Sequence, residues 1–260
     1  MKRFLFWLCF LFISGLFSSS SILPAPSLGE GPIRTVIIDA GHGGKDPGAV
    51  GSRYHEKDIT LSVALQLKRI LNESMPELKV VLTRETDVFL ALHKRAQVAK
   101  DNQGDFFISI HCNALKNNTK YGAETYVLGI NEGQENYETI IAENEAILFE
   151  DNYGDMYGGF DPSSPEGYIY FKLLKNVFRN ESTRLAEKIQ HQYSSRIGRK
   201  DRGVKQAPFV VLYLSGMPAL LTETGFITNY EEETFLASES GQIYIASCIY
   251  RAIKSYNMEF

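Results

Sequence analysis

The chain has 260 residues, 44% of them hydrophobic, 12% aromatic and 22% charged, enough for one or two domains with a full core and unlike disordered or collagen-like chains. A formal charge of −4 excludes the basic footprint of a nucleic-acid binder, and three cysteines exclude a disulfide scaffold.

Met1-Lys2-Arg3, the apolar Phe4 to Phe17 and the small Ser18 to Ser21 have the layout of a signal peptide over residues 1–21. The apolar run, about fourteen residues, is short against the roughly twenty of a membrane span. The reading is export with no stable membrane insertion after cleavage, against an uncleaved anchor. Cys9 leaves with that segment, and Cys112 and Cys248 then either pair or lie buried as free thiols, the second being favoured. Residues 22–32, with Pro24, Pro26, Pro32, Gly29 and Gly31, read as a tether, and residues 33–260 as one domain.

In that domain short β-branched or aromatic runs alternate with helical spacing. Residues 34–39, 79–83, 106–112, 123–128, 209–214 and 219–222 read as strands. Residues 58–73, 90–100, 181–193 and 242–256 read as amphipathic helices. The alternation predicts an α/β fold: a single domain with a twisted, mostly parallel sheet of about six strands and helices on both faces. One stretch breaks the rhythm, for between Lys120 and Lys172 there is no Lys or Arg and there are eleven Asp or Glu. This acidic insertion, at about residues 131–170, reads as an amphipathic helix over 136–150 and then a Gly-, Pro- and Tyr-rich loop of lid-like length over 151–168. The helix is expected to turn Ile140, Ile141, Ile147 and Leu148 inward. The competing reading is a solvated acidic excursion.

Titratable residues gather at strand ends. The first strand runs into Ala40-Gly41-His42-Gly43-Gly44-Lys45-Asp46-Pro47-Gly48. Neither dinucleotide nor P-loop spacing is met, and Asp46 would repel a phosphate. The glycines leave room around the His42 imidazole, although a lone histidine after a strand is more often structural than a ligand. Tyr54-His55-Glu56 precedes the first long helix, and Ile59 stands where a zincin would have its second histidine. Either His55 or Glu56 can face the His42 loop; Glu56 is favoured because a helix N-terminus holds an anion, and the plainer reading is a helix-terminal charge. Alternation along 106–114 puts Ser109, His111 and Asn113 on one side and Cys112 in the core, which excludes a Cys112–His111 dyad. Glu223 follows the apolar strand ending Leu220-Leu221-Thr222, a costly place for a carboxylate without a partner, a metal or a cleft. Two imidazoles and two carboxylates thus stand at or beside the carboxyl ends of strands, where open α/β sheets bind ligands. Two His and one Glu would make a three-ligand zinc site with an open fourth position, leaving the other carboxylate to move protons.

These residues resemble the zinc-dependent N-acetylmuramoyl-L-alanine amidases of the type 3 family, which hydrolyse peptidoglycan. The likeness rests on 38–48, Glu56, Leu82-Thr83-Arg84, 109–114, Gly122-Ala123-Glu124-Thr125, 202–206 and 223–229, in that order. It implies one zinc ion held by His42, Glu56 and His111, with Glu223 as the catalytic carboxylate. It also implies the reaction: hydrolysis of the amide between N-acetylmuramic acid and L-alanine, in cell-wall remodelling or daughter-cell separation. Division-associated members carry a helical insertion near this place that covers the zinc until a protein activator displaces it. The resemblance therefore implies peptidoglycan and an activator as partners, with Glu143, Glu145 or Glu150 reaching the metal in a closed state. The tether is too short for a targeting domain or wall-binding repeats, which favours the periplasm over the extracellular space. Two rivals stand beside this reading: a carboxypeptidase of stem peptides, and a non-catalytic wall-binding protein on the same fold, which would have lost a ligand or the glutamate. Lys45, Arg53, Arg202 and Lys205 are candidates to meet substrate carboxylates, against the plainer reading of exposed basic residues.

Overall fold

The computed structural model describes residues 31–116, 118–129, 137–151 and 178–260. The expected signal peptide, residues 22–30 of the tether and the loop half of the insertion lie outside the described residues.

Six strands form one sheet: β1 (Thr35–Ala40), β2 (Lys79–Leu82), β3 (Phe106–Asn113), β4 (Ala123–Leu128), β5 (Asp201–Ala207) and β6 (Ala219–Phe226). Their order is β2-β1-β3-β6-β4-β5, with every pair parallel except β4 against β6. The helices are α1 (Glu56–Ser74), α2 (Leu92–Asp101), α3 (Tyr137–Asn144), α4 (Arg179–Ile197), α5 (Val210–Ser215), α6 (Tyr230–Ala237) and α7 (Glu239–Asn257). β1 and β3 are apolar on both sides because both sides are covered. Val36, Ile38, Ile108, Ile110 and Cys112 face α1, α4 and α7, whereas Ile37, Phe107, Tyr126 and Leu221 face α2, α3 and α5. Ile59, Val63, Leu67 and Leu71 of α1 are buried at helical spacing, each such side chain contributing about 1.5–3 kcal/mol. Cys112 and Cys248 are both buried and free, the favoured of the two readings.

The structure departs from the sequence reading in three places. Phe209–Leu214 does not form a strand; Val210–Ser215 is the helix α5. A short apolar run reads the same for a buried strand and a buried helix turn, and tertiary contacts decide here. Asn144 Oδ1 accepts from Val210 N at 3.0 Å, and Gly216, in the left-handed region at φ 69°, closes the turn. The sixth strand is instead β5, a polar, half-buried edge that carries no alternating apolar signal. In the insertion, α3 passes into a 3₁₀ turn, Glu145–Phe149. Ile140 and Ile147 are buried as expected, but the tighter period turns Leu148 outward to 51% exposure. Among the described residues no helix is long and apolar enough to cross a membrane.

Candidate metal centre

β1 and β3 lie side by side mid-sheet, Asp39 opposite Ser109. His42 stands two residues beyond β1 with φ +58°, a left-handed backbone that costs a residue bearing Cβ. Two buried arginines hold that backbone. Arg95 donates to the carbonyls of Ala40 and His42 at 2.7 Å each, and Arg84 to those of Ala40 and Gly41 at 2.9 and 2.7 Å. Nδ1 of His42 donates to Asp46 Oδ2 at 2.8 Å, which leaves Nε2 bare and fixes the ring. That Nε2 is buried without a hydrogen-bond partner, 3.2 Å from Glu56 Oε2 and 3.3 Å from Glu143 Oε2.

His111, on β3, presents Nδ1 to the same place, 3.0 Å from Glu56 Oε1 and 2.7 Å from Glu143 Oε2. A Cβ on Gly48 would strike the His42 ring, whereas one on Gly41 would strike the His111 ring. The glycines therefore make room for both imidazoles, not for His42 alone. Glu56 opens α1, but backbone amides outside the helix hold it: Ala49 N donates to Oε2 and Cys112 N to Oε1, both at 2.8 Å. His55, the alternative to Glu56, is half exposed, 3.7 Å from Asp58 and outside the cluster.

Glu143, on α3, is the fourth member. One ligand atom from each of His42, Glu56, His111 and Glu143 lies within 4.8 Å of all the others. Of the three acidic candidates in the insertion, Glu145 is exposed, and Glu150 turns to Leu92 N at 2.6 Å and His93 Nδ1 at 2.9 Å. Glu223 sits on β6 level with His111 of β3 and Glu124 of β4. It is fully buried and neither carboxylate oxygen has a hydrogen-bond partner. Its neighbour Glu124 accepts from Asn113, Tyr126, Arg202 and Lys205 at 2.6–2.9 Å. Arg202 and Lys205 are thus engaged by a protein carboxylate, while Lys45 lies over Phe89 and Arg53 over Tyr54 and Tyr230.

The field in this crevice is strongly negative. Burial disfavours a charged imidazole, yet Glu56 and Asp46 raise His42 well above its ordinary range, and Glu143 with Glu56 raises His111 to about 9. Burial also works to raise Glu56, but His42 and His111 hold it well below the usual carboxylate range. Burial first, then the charges of Glu143, Glu56 and Glu124, push the Glu223 carboxyl far up. Three buried carboxylates around two imidazoles call for a cation. Two of the buried atoms left without a hydrogen-bond partner, His42 Nε2 and Glu143 Oε2, lie 3.3 Å apart. Imidazole nitrogen with carboxylate oxygen is a donor set for a divalent metal.

Of the residues expected from the sequence, His42, Glu56 and His111 lie in the cluster and Glu223 on the strand beside His111, while Glu143 stood as one of three candidates. Sequence reasoning did not identify Asp46 as the partner of His42, nor Arg95. A signal for Arg95 existed: it lies on the buried stripe of α2 among Leu92, Ala96 and Ala99, where an unpaired cation does not belong.

Residues 36–255, which include every member of the cluster, match the family described as N-acetylmuramoyl-L-alanine amidase. The chain is 29% identical over 224 residues to AmiC, an N-acetylmuramoyl-L-alanine amidase of Escherichia coli O6:H1, a match that spans 85% of this chain and 52% of that relative. The crystal structure of N-acetylmuramoyl-L-alanine amidase from Clostridium difficile 630 has a TM-score of 0.63 and 30% identity, covering 85% of this chain and 95% of that one. The CwlD amidase of Clostridioides difficile, solved in complex with the GerS lipoprotein, has a TM-score of 0.65 and 26% identity, covering 87% and 100%. The chain therefore belongs to the N-acetylmuramoyl-L-alanine amidase family and is a hydrolase of amide bonds.

Proposed function

We propose that the protein is an exported, zinc-dependent N-acetylmuramoyl-L-alanine amidase that rests in a closed state. The observation that carries this reading is the convergence of His42 Nε2, His111 Nδ1 and both oxygens of Glu56, with Glu143 across the remaining side. Two His and one Glu are a catalytic zinc set, which keeps a position for substrate or water. Bound there, zinc supplies a Lewis acid that polarises the scissile carbonyl and acidifies water. Glu223 takes the proton from the attacking water and returns it to the L-alanine nitrogen as the amide with the lactyl group breaks. Burial and the neighbouring carboxylates raise the Glu223 carboxyl, and a raised carboxyl is a stronger base towards the water proton than an ordinary one.

Glu143 fills the place that substrate needs, and α3 packs Ile140, and the 3₁₀ turn Ala146 and Ile147, against Tyr126, Phe209, Val211 and Leu221. A protein partner that lifts this insertion would open the site; the structural neighbour solved with a lipoprotein shows that an amidase of this fold takes a protein partner. Export rests on residues 1–21, with the tether to residue 32, and favours the periplasm; cell-wall remodelling or daughter-cell separation is the proposed setting. Digestion of purified sacculi, with and without a chelator, tests the whole reading by mass analysis of the products. Intact stem peptides that vanish with the chelator are expected. Release of single amino acids would instead make the protein a carboxypeptidase, and no release by an α3-deleted, zinc-loaded protein would make it a binder.

A further inference from the structure

We propose that Arg95 is a positioning residue of the metal centre, which fixes the backbone presenting His42, and that Glu150 of the insertion holds Arg95 in place. The proposal rests on the zinc reading above and adds a residue that touches no ligand atom. Arg95 is 2% exposed, and its donors are spread along one short path. Nε donates to Leu90 O at 2.8 Å, Nη1 to Asp39 Oδ1 at 2.9 Å and Ala40 O at 2.7 Å, and Nη2 to His42 O at 2.7 Å. Asp39 is itself tied to Thr83 and Ser109 by their hydroxyls at 2.6 and 2.8 Å. The fork therefore joins β1, the strand of His111 and the carbonyl of His42 in one rigid unit.

An ion pair alone would need only the Asp39 carboxylate. Here three of four acceptors are main-chain carbonyls, two of them at His42 and two residues before it, where φ of +58° makes the peptide planes the variable to be fixed. Only a planar, multi-donor cation spans such a set; the ammonium of Lys is a point donor. Arg84 serves a different neighbourhood, joining Ala40 and Gly41 to Lys57 O and Thr86 O, and does not reach His42 O.

Arg95 lies in the first turn of α2, whose N-cap, Ala91, offers no side-chain cap. Glu150 supplies it from the insertion, Oε1 accepting from Leu92 N and Oε2 from His93 Nδ1. A carboxylate there satisfies a free amide and opposes the helix dipole. The element that carries Glu143 to the ligands thus also steadies the helix end that carries Arg95.

The test is zinc affinity of the full folded chain by chelator competition, with the near-ultraviolet spectrum as the check of fold. Arg95→Lys should keep the native spectrum and bind zinc about 10–100-fold more weakly, the usual cost of losing an outer hydrogen bond to a ligand. Binding within twofold of the parent overturns the proposal. Where Arg95→Lys does not fold, the Glu143→Ala protein with and without Glu150→Gln decides. A several-fold loss of affinity on adding Glu150→Gln supports the proposal, since the Glu143 ligand is absent from both, and equal affinity overturns it. A parent protein that binds no zinc at all is a different result: it overturns the metal reading itself.

Discussion

Glu143 meets both imidazoles, whereas Glu223 lies buried on the strand beside His111 with no hydrogen-bond partner, and these surroundings suit them to opposite parts. Glu223 comes from a fully buried central strand, whereas Glu143 comes from a helix of eight residues laid against the sheet. Glu223→Gln is expected to retain one zinc per chain while turnover falls by about 10²–10⁴-fold, measured by metal analysis beside muropeptide release. His42→Ala or His111→Ala should instead lose the metal, so that a variant holding a full equivalent of zinc would remove that histidine from the ligand set. Glu143→Ala should raise the basal rate on sacculi without any partner, by about tenfold for each 1.4 kcal/mol of closing free energy that it forfeits. A basal rate equal to the parent's would show that Glu143 does not close the site.

At the scale of elements, the insertion helix does more than cover. Asn144 Nδ2 donates to Pro208 O at 3.1 Å and its Oδ1 accepts from Val210 N, so that α3 caps α5, while Glu150 caps α2. Deleting residues 136–168 should therefore raise the basal rate and also lower the melting temperature, each lost cap costing about 1 kcal/mol. A deletion variant that stays folded but is no more active would count against autoinhibition. These same caps explain what the sequence hid. The central strands and long helices were legible because Ile37, Phe107 and Leu221 or Val63 and Leu67 bury whole periods of two or 3.6. His42, His111 and Glu223 were legible because polar groups at the ends of apolar strands stand out. α5 was not, for its cap comes from 66 positions away in the chain, and β5 was not, for an edge strand held by backbone pairing needs no apolar pattern. The choice of Glu143 over Glu145 and Glu150 turns on where the helix tightens into a 3₁₀ turn, which depends on the surface beneath it.

For the molecule as a whole, the crevice couples charge to stability. In the metal-free protein the folded His111 pKa, about 9, lies above the unfolded imidazole value near 6.5. Its stabilisation is then complete below about pH 6.5 and is lost as pH rises through about 9. The chelator-treated protein should melt at progressively lower temperature across that interval, and zinc should abolish the slope by replacing the proton. A flat profile without metal would mean that His111 does not sit in the negative field described. The sheet contributes to this coupling: β4, antiparallel to β6, brings Glu124 beside Glu223, so that one more carboxylate raises the Glu223 carboxyl.

Glu143 also bears on how long the enzyme lasts. With α3 seated, the cluster offers four protein donors, the sealed arrangement typical of ions that are never exchanged; with α3 lifted, it offers three. On the proposed zinc reading, the closed state would then be the one in which the metal is safest from dilution and scavengers, and release from it would open the ion to both. The working lifetime of an opened molecule would then follow the zinc supply of its surroundings as much as the re-seating of the helix.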